Sequence, residues 1–133
     1  MKYVMNDIFD AETNCLTKHA LEFYTDEAQN LLLLEFDVQD NSNEISTKRI
    51  FNEVSRILNK IDTQKEHSIR LDKFTFLVLS QNMESIDNIA TEFKKSVILQ
   101  NEGVRLRYSK NEYNPFDSFN KRLEECFQNL EYQ

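Results

Sequence analysis

Residues 68–80 restrict the fold of this chain more strongly than any other stretch of its sequence. Residues 68–71 place two apolar side chains on one face, which predicts a short strand. Residues 74–79 form a nearly unbroken apolar run, which is typical of a strand covered on both faces. Because only Asp72 and Lys73 separate the two segments, the chain has room for nothing but a tight reversal. The two strands should therefore form a hairpin.

The rest of the sequence predicts helices and strands on either side of this hairpin. Apolar residues at steps of three and four predict a helix, and an apolar or alternating run predicts a strand. The predicted helices cover 13–28, 43–62, 82–99 and 114–130, and the further predicted strands cover 31–38 and 104–108.

The six middle elements follow the order strand, helix, strand, strand, helix, strand. Such a β-α-β-β-α-β unit is typical of an α+β, ferredoxin-like antiparallel sheet, here with extra N- and C-terminal helices. In that topology the first and third strands are central and the other two are edges. The composition agrees, because 31–36 and 74–79 are the most apolar strands. Arg70, Arg105 and Arg107 lie on the other two.

Length and composition indicate one domain over residues 1–133. No apolar run approaches the roughly 20 residues that cross a bilayer, and the N-terminus lacks the apolar segment of a secretory signal. We therefore expect a cytoplasmic protein without membrane insertion. Gly103 is the only glycine, which excludes the phosphate-binding loops that need several glycines.

The net charge of −7 disfavours a DNA or RNA partner, because affinity for nucleic acid comes largely from cationic side chains. A local basic patch of Arg105, Arg107 and Lys110 stays open, although alternating arginines are more typical of the solvated face of an edge strand. Phe74 and Phe76 share a strand face and could form a platform for RNA bases, but the charge opposes that function as well.

The cysteines and histidines give no indication of a metal site. Cys15 and Cys126 lie far apart in sequence, and we expect two small buried thiols. His19 and His67 have no neighbouring Cys or His at metal-ligand spacing. No cofactor is predicted.

The hairpin resembles the signature hairpin of diguanylate cyclase (GGDEF) domains. In that motif, Arg-hydrophobic-Gly-Gly-Asp/Glu-Glu-Phe precedes an apolar strand. Arg70 and Phe76 match the arginine and the phenylalanine, whereas residues 72–75 stand where the two glycines and two acids belong. The architecture of the motif is therefore retained while its chemical groups are replaced.

Two further segments resemble the same family in the expected order. Residues 10–19 are similar to the opening motif Asp-x-Leu-Thr-Gly-Leu-x-Asn-Arg-Arg, with Asp10, Thr13 and Leu16 in common. The strand over 31–38 is similar to the first family strand, and it places Asp37 on the first metal-binding aspartate. The family segment that builds the guanine and ribose pocket is missing after this strand.

The departures from the family pattern all fall at ligand contacts. The family holds two divalent cations with several carboxylates, whereas this chain keeps Asp37 and has Phe74 and Thr75 at the positions of the turn acids. Glu131 stands in the place of a phosphate-binding lysine, and residues 63–66 replace the Arg-x-x-Asp product-inhibition site. The resemblance thus implies a degenerate GGDEF-like domain that binds no metal and lacks diguanylate cyclase activity.

The sequence favours two functions over residual cyclase activity. The first is a catalytically inactive regulatory or protein-interaction module in bacterial cyclic-dinucleotide signalling, which binds a protein partner or another copy of itself. The alternative is a sensor that binds GTP or a cyclic dinucleotide without cyclase activity, with Asp37, Arg70, Asp72 and Lys73 as a remnant nucleotide site. The simpler interpretation is that Arg70 and Lys73 are charged side chains of the hairpin that face solvent.

Overall fold

The computed structural model describes residues 9–23, 29–39, 43–59 and 66–132. Its strands are β1 (Phe9–Asp10), β2 (Cys15–Thr17), β3 (Asn30–Asp37), β4 (Glu66–Asp72), β5 (Thr75–Ser80), β6 (Arg105–Asn111) and β7 (Glu131–Tyr132). Its α-helices are α1 (Glu44–Asn59), α2 (Met83–Lys95), α3 (Val97–Asn101) and α4 (Phe119–Gln128), and a 3-10 helix covers Lys18–Phe23. In these described ranges, no helix has the length and apolar character to cross a membrane.

The strands form one sheet in the order β1-β2-β4-β5-β3-β6-β7. Only β2 and β4 pair in parallel, and every other pair is antiparallel. The four middle strands have the predicted ferredoxin-like arrangement with β3 and β5 at the centre, so the fold prediction is confirmed. The prediction that β4 and β6 are edges is wrong. The short strands β2 and β7 pair with their outer sides and so cover backbone groups that an edge leaves exposed.

The side chains of β3 alternate between two hydrophobic cores, which explains its run of four leucines. Leu32, Leu34 and Phe36 pack in a cluster with residues of α1 and α2. Leu31 and Leu33 pack on the opposite face with residues of β4, β5 and α4. Because both faces of the sheet are covered, the middle of this strand is apolar throughout.

The predicted N-terminal helix is wrong. The Asp10 carboxylate accepts hydrogen bonds from the backbone N–H of Thr13, at 3.2 Å, and from its hydroxyl. Asn14 adopts a left-handed conformation with φ 60°. The resulting turn brings Cys15–Thr17 into the sheet as β2, and the 3-10 helix Lys18–Phe23 follows. The last part of the predicted helix, residues 24–28, lies outside the described residues.

The C-terminal helix begins later than predicted. The side-chain oxygen of Asn114 accepts the N–H of Phe116 at 3.0 Å, which forms a turn instead of capping a helix. Ser118 is the N-cap, and its hydroxyl oxygen accepts the N–H of Lys121 at 3.1 Å. The helix ends at Gln128.

The predicted helix over 82–99 begins at its expected cap, Asn82, but it is interrupted at Ser96. Ser96 is extended, with φ −64° and ψ 111°, and its hydroxyl oxygen accepts the N–H of Leu99 at 3.2 Å to start α3. The same hydroxyl donates to the buried carboxylate of Glu53 on α1. A contact between distant parts of the chain therefore fixes where the helix breaks.

Glu53 is held as a carboxylate at this helix break. Arg56 donates from its Nε at 2.6 Å and from a terminal nitrogen at 3.1 Å. The hydrogen bond from Arg56 lowers the pKa of Glu53 below its usual value; burial opposes this shift, and Ser96 adds to it. The carboxylate is thus stabilised in its charged form on folding.

We expect Glu53→Gln to lower the free energy of unfolding by about 1–3 kcal/mol at pH 7, because hydrogen bonds to a charged acceptor are lost. Since the folded-state pKa of Glu53 is lowered, its contribution is present above the ordinary glutamate pKa and is lost as pH falls through the folded-state value. Urea unfolding across this range should show the stabilities of the variant and the parent converging in acid. Glu124→Gln, at an exposed position of α4, should match the parent at every pH. A difference between Glu53→Gln and the parent that persists unchanged in acid would contradict this assignment.

Candidate functional site at the hairpin turn

Lys73 and Phe74 form the turn between β4 and β5. The register between the strands shifts between Arg70 and Asp72. The Asp72 carboxylate accepts the backbone N–H of Lys73 at 2.8 Å, and the Phe74 carbonyl accepts the N–H of Phe36 at 2.9 Å. The predicted hairpin is confirmed, although Phe74 belongs to the turn and not to the strand.

Two aromatic rings pack between two cations at this turn. The rings of Phe51, on α1, and Phe74 are stacked, with centroids 5.2 Å apart and planes at 11°. The guanidinium carbon of Arg70 lies 4.5 Å from the Phe51 centroid, and the Lys73 ammonium lies 5.3 Å from the Phe74 centroid. Stacked rings and cation–π contacts both stabilise such an arrangement. The turn is therefore packed onto α1.

Arg70 joins three parts of the chain through its guanidinium group. One terminal nitrogen donates to Asp10 at 2.9 Å and to Glu12 at 2.8 Å. Nε and the other terminal nitrogen donate to the Lys73 carbonyl at 3.2 and 2.9 Å. Together with the contact to Phe51, these bonds connect the N-terminal turn, α1 and the hairpin. Arg70 is committed to contacts within the chain.

The charge of Arg70 also affects its partner Asp10. Partial burial by itself would raise the pKa of Asp10, but the hydrogen bond from Thr13 and the nearby guanidinium of Arg70 more than offset it. The pKa of Asp10 is consequently lowered, and the carboxylate stays charged and paired.

A cavity of about 690 Å³ adjoins the turn, between α1 and the N-terminal segment. Two lysines and two glutamates contribute to its walls together with amide and hydroxyl side chains. The lining residues are Ala11, Glu12, Asn43, Glu44, Thr47, Lys48, Phe51, Asn52 and Lys73. Lys73 is the one member of the predicted nucleotide site among them.

Asp37, the remaining member of the predicted site, lies apart from this cavity. It ends β3, is exposed and is in register with Arg105 of β6. By the alternation of the strand it shares a face with Glu35, whose carboxylate pairs with Arg107 at 2.9 Å. Phe51 belongs to the core on the opposite face. The structure thus brings Arg70, Asp72 and Lys73 together at one turn and places Asp37 on the face of the sheet opposite Phe51.

The chemistry that this corner can support follows from its side chains. Over the ranges that the structure describes, no group of three or more His, Cys, Asp or Glu side chains could hold a metal ion.

Sequence reasoning missed Phe51 and Lys48, both of which lie on α1 beside the turn. Phe51 follows directly after Ile50 in the apolar stripe of α1, so an aromatic residue next to the core face was the available signal.

No protein-family model and no curated protein sequence matches the chain, but solved structures do. The protein resembles a microbial GGDEF domain described with a novel mode of interaction with bis-(3′,5′)-cyclic di-GMP, at a TM-score of 0.69 and 12% identity over 92% of this chain and 89% of that one. A second match is the coiled coil and GGDEF domain of DgcB from Caulobacter crescentus in complex with c-di-GMP. Its TM-score is 0.67 and its sequence identity is 14%, over 92% of this chain and 78% of that one. The chain has the fold of a GGDEF domain.

The GGDEF-like fold extends over nearly the whole chain. A third structure, the FimX GGDEF domain from Pseudomonas aeruginosa, matches at a TM-score of 0.62 and 7% identity over 91% of this chain and 90% of that one. The expectation drawn from the order and spacing of the sequence motifs is therefore confirmed at the level of fold. The hairpin that resembles the GGDEF signature is β4–β5, where Arg70 and the stacked rings lie.

We expect Arg70→Lys to lower the free energy of unfolding by about 1–3 kcal/mol, because lysine cannot replace the branched hydrogen bonds or the planar contact with Phe51. Arg49→Lys is the matched control, since its ion pair with Glu102 is exposed on the arginine side and spans 3.3 Å; an exposed pair contributes less than about 1 kcal/mol. Urea unfolding measures both. Equal stability of Arg70→Lys and the parent would show that Arg70 does not hold the turn.

Proposed function

We propose that this GGDEF-like domain lacks diguanylate cyclase activity and acts as a regulatory or protein-interaction module in bacterial cytoplasmic signalling. The observation that carries this proposal is the stack of Phe51 and Phe74 at the turn, closed on one side by Arg70. Phe74 and Thr75 stand at the positions where the GGDEF motif has its two acids. A turn packed in this way lacks the paired carboxylates that would hold metal ions and the exposed glycine backbone that would contact a phosphate group.

The placement of the remaining acids supports the same proposal. Two cations that bridge phosphate oxygens require several converging carboxylates. Asp72 accepts a hydrogen bond from the backbone of its own turn, and Asp37 lies on the opposite face of the sheet from Phe51 and the cavity. In the described ranges, no three acidic, cysteine or histidine side chains gather into a set that could hold a metal ion. The rest of the fold is intact, and the function of such a domain then depends on its surfaces.

The absence of cyclase activity is tested by incubating the protein with GTP and either Mg²⁺ or Mn²⁺ and separating the products by chromatography. We expect GTP to be recovered unchanged under conditions in which an active diguanylate cyclase domain converts it completely. Formation of a cyclic dinucleotide by the purified chain would overturn the proposal.

A second candidate function is nucleotide binding without catalysis. The cavity of about 690 Å³ beside Lys73 favours it, and two structural neighbours were described with cyclic di-GMP. Lys48 and Lys73 would meet the phosphate groups from two walls, with Arg70 and Asp72 bracing the turn. Asp37 would contribute only if the ligand also reached the other face of the sheet.

Titration calorimetry with GTP, ATP and cyclic di-GMP, with and without Mg²⁺, separates the two candidates. If the cavity binds a nucleotide, Lys73→Gln and Lys48→Gln should each weaken binding at least tenfold, because each removes a charge-assisted contact with phosphate. Asp37→Asn should leave binding by the cavity unchanged. The interaction module without a ligand predicts no heat for any nucleotide, and equal effects of all three variants would rule out the cavity as the site.

A further inference from the structure

Phe116 is the most exposed large hydrophobic side chain among the described residues, with 94% of its surface in contact with solvent. It lies in the segment 112–118 between β6 and α4, which we call the Phe116 loop. The Asn114 side chain accepts the N–H of Phe116 at 3.0 Å and donates to Asp117 at 3.2 Å. The Asp117 N–H donates a hydrogen bond to the Asn114 carbonyl at 3.2 Å. The loop is thus fixed by its own hydrogen bonds, and Phe116 is held outward.

The opposite end of the domain carries an apolar groove between α1 and α3, with a volume of about 510 Å³. We call it the α1–α3 groove, and Ile98 forms its exposed apolar wall. The full set of lining residues is Arg49, Asn52, Glu53, Arg56, Ile98, Asn101 and Glu102. The volume exceeds what a single phenylalanine side chain requires.

The rim of the α1–α3 groove presents positive charge to an incoming molecule. Arg49 and Arg56 pair with Glu102 and Glu53, respectively. The two arginine side chains are 65% and 54% exposed, whereas the two carboxylates are only 14% and 3% exposed. The cations therefore face solvent and the acids lie beneath them. The Phe116 loop begins at the exposed Glu112, so the loop and the rim have complementary charge.

The two features cannot meet within one molecule. Asn101 and Glu102 of the groove precede the start of β6, and the Phe116 loop follows its end. The seven residues of β6 separate them by about 20 Å at the rise of an antiparallel strand. A contact between the loop and the groove must therefore join two molecules.

We propose that Phe116 of one molecule inserts into the α1–α3 groove of a second copy of this chain. Different surfaces of the two copies meet, so the contact is heterologous and leaves one free loop and one free groove at the ends of each assembly. The inference rests on the proposed interaction function and names its partner. It assigns Phe116 as the apolar anchor, Ile98 as its receiving wall and the two exposed arginines as the partners of the loop acid.

The strength of this association follows from its small contact area. A phenylalanine buries about 150–250 Å² at most, and an interface below about 1,200 Å² is typical of a transient contact. The net charge of −7 adds repulsion between copies, which salt screens. The assembly should form at high protein concentration and moderate ionic strength. A preformed loop reduces the entropy lost on binding.

Sedimentation velocity over a concentration series tests the proposal, and the average mass of the parent should rise with concentration. Phe116→Ser removes the anchor and Ile98→Asp removes the apolar wall while adding repulsion toward the loop acid. Each variant alone should associate at least tenfold more weakly than the parent. Phe127→Ser and Val97→Asp are matched controls, because both residues are exposed and lie outside the groove lining and the loop. Both controls should associate like the parent.

Mixing the two variants gives the decisive result. Phe116→Ser retains a groove and Ile98→Asp retains an anchor, so their mixture should form a one-to-one dimer that grows no further. A parent that stays monomeric at every concentration, variants that associate as strongly as the parent, or a mixture that stays monomeric would each overturn the inference. Circular dichroism and urea unfolding confirm that each variant is folded. Cyclase activity is measured separately with GTP, so a failed association overturns this inference without bearing on the proposed absence of catalysis.

Discussion

The guanidinium group of Arg70 is the contact on which the hairpin corner depends. It donates to two acids of the N-terminal turn and to the carbonyl of Lys73, and it lies against the ring of Phe51. No other side chain in the described ranges is shown with contacts to all three of these parts. Because arginine presents its donors in a fixed plane, one residue can satisfy acceptors on two sides while its face covers an aromatic ring.

This use of Arg70 has a direct bearing on function. A cation that is already bonded to Asp10, Glu12 and a backbone carbonyl has little capacity left for a phosphate group. Lys73 differs, because its ammonium lies over Phe74 at the border of the cavity. Of the residues predicted as a nucleotide site, Arg70 is bonded within the chain, Lys73 borders the cavity, and Asp37 lies on the sheet face opposite Phe51. Residues that resemble a ligand site in their sequence order therefore have different contacts in the folded chain.

The sequence predicted those parts of the fold that local patterns determine. The apolar runs of β3 and β5, the hairpin between β4 and β5 and the Asn82 cap of α2 are all visible within a few residues. Contacts between distant residues determined the rest. The break at Ser96 depends on Glu53, 43 residues earlier, and the role of Arg70 depends on Asp10, 60 residues earlier. The helical periodicity of one segment gives no information about such distant partners as Glu53 or Asp10.

The double coverage of β3 and β5 limits how far this domain can change its shape. Backbone amides in strands buried on both faces exchange with solvent only when the whole domain unfolds. The hairpin turn is bonded to β3 through the N–H of Phe36, and the partly buried ring of Phe74 packs against the core that contains Phe36. Opening of this corner would thus break the bond to β3 and expose apolar surface of the core. We therefore expect the hairpin to keep one shape while other molecules bind to or leave the outer surfaces of the domain.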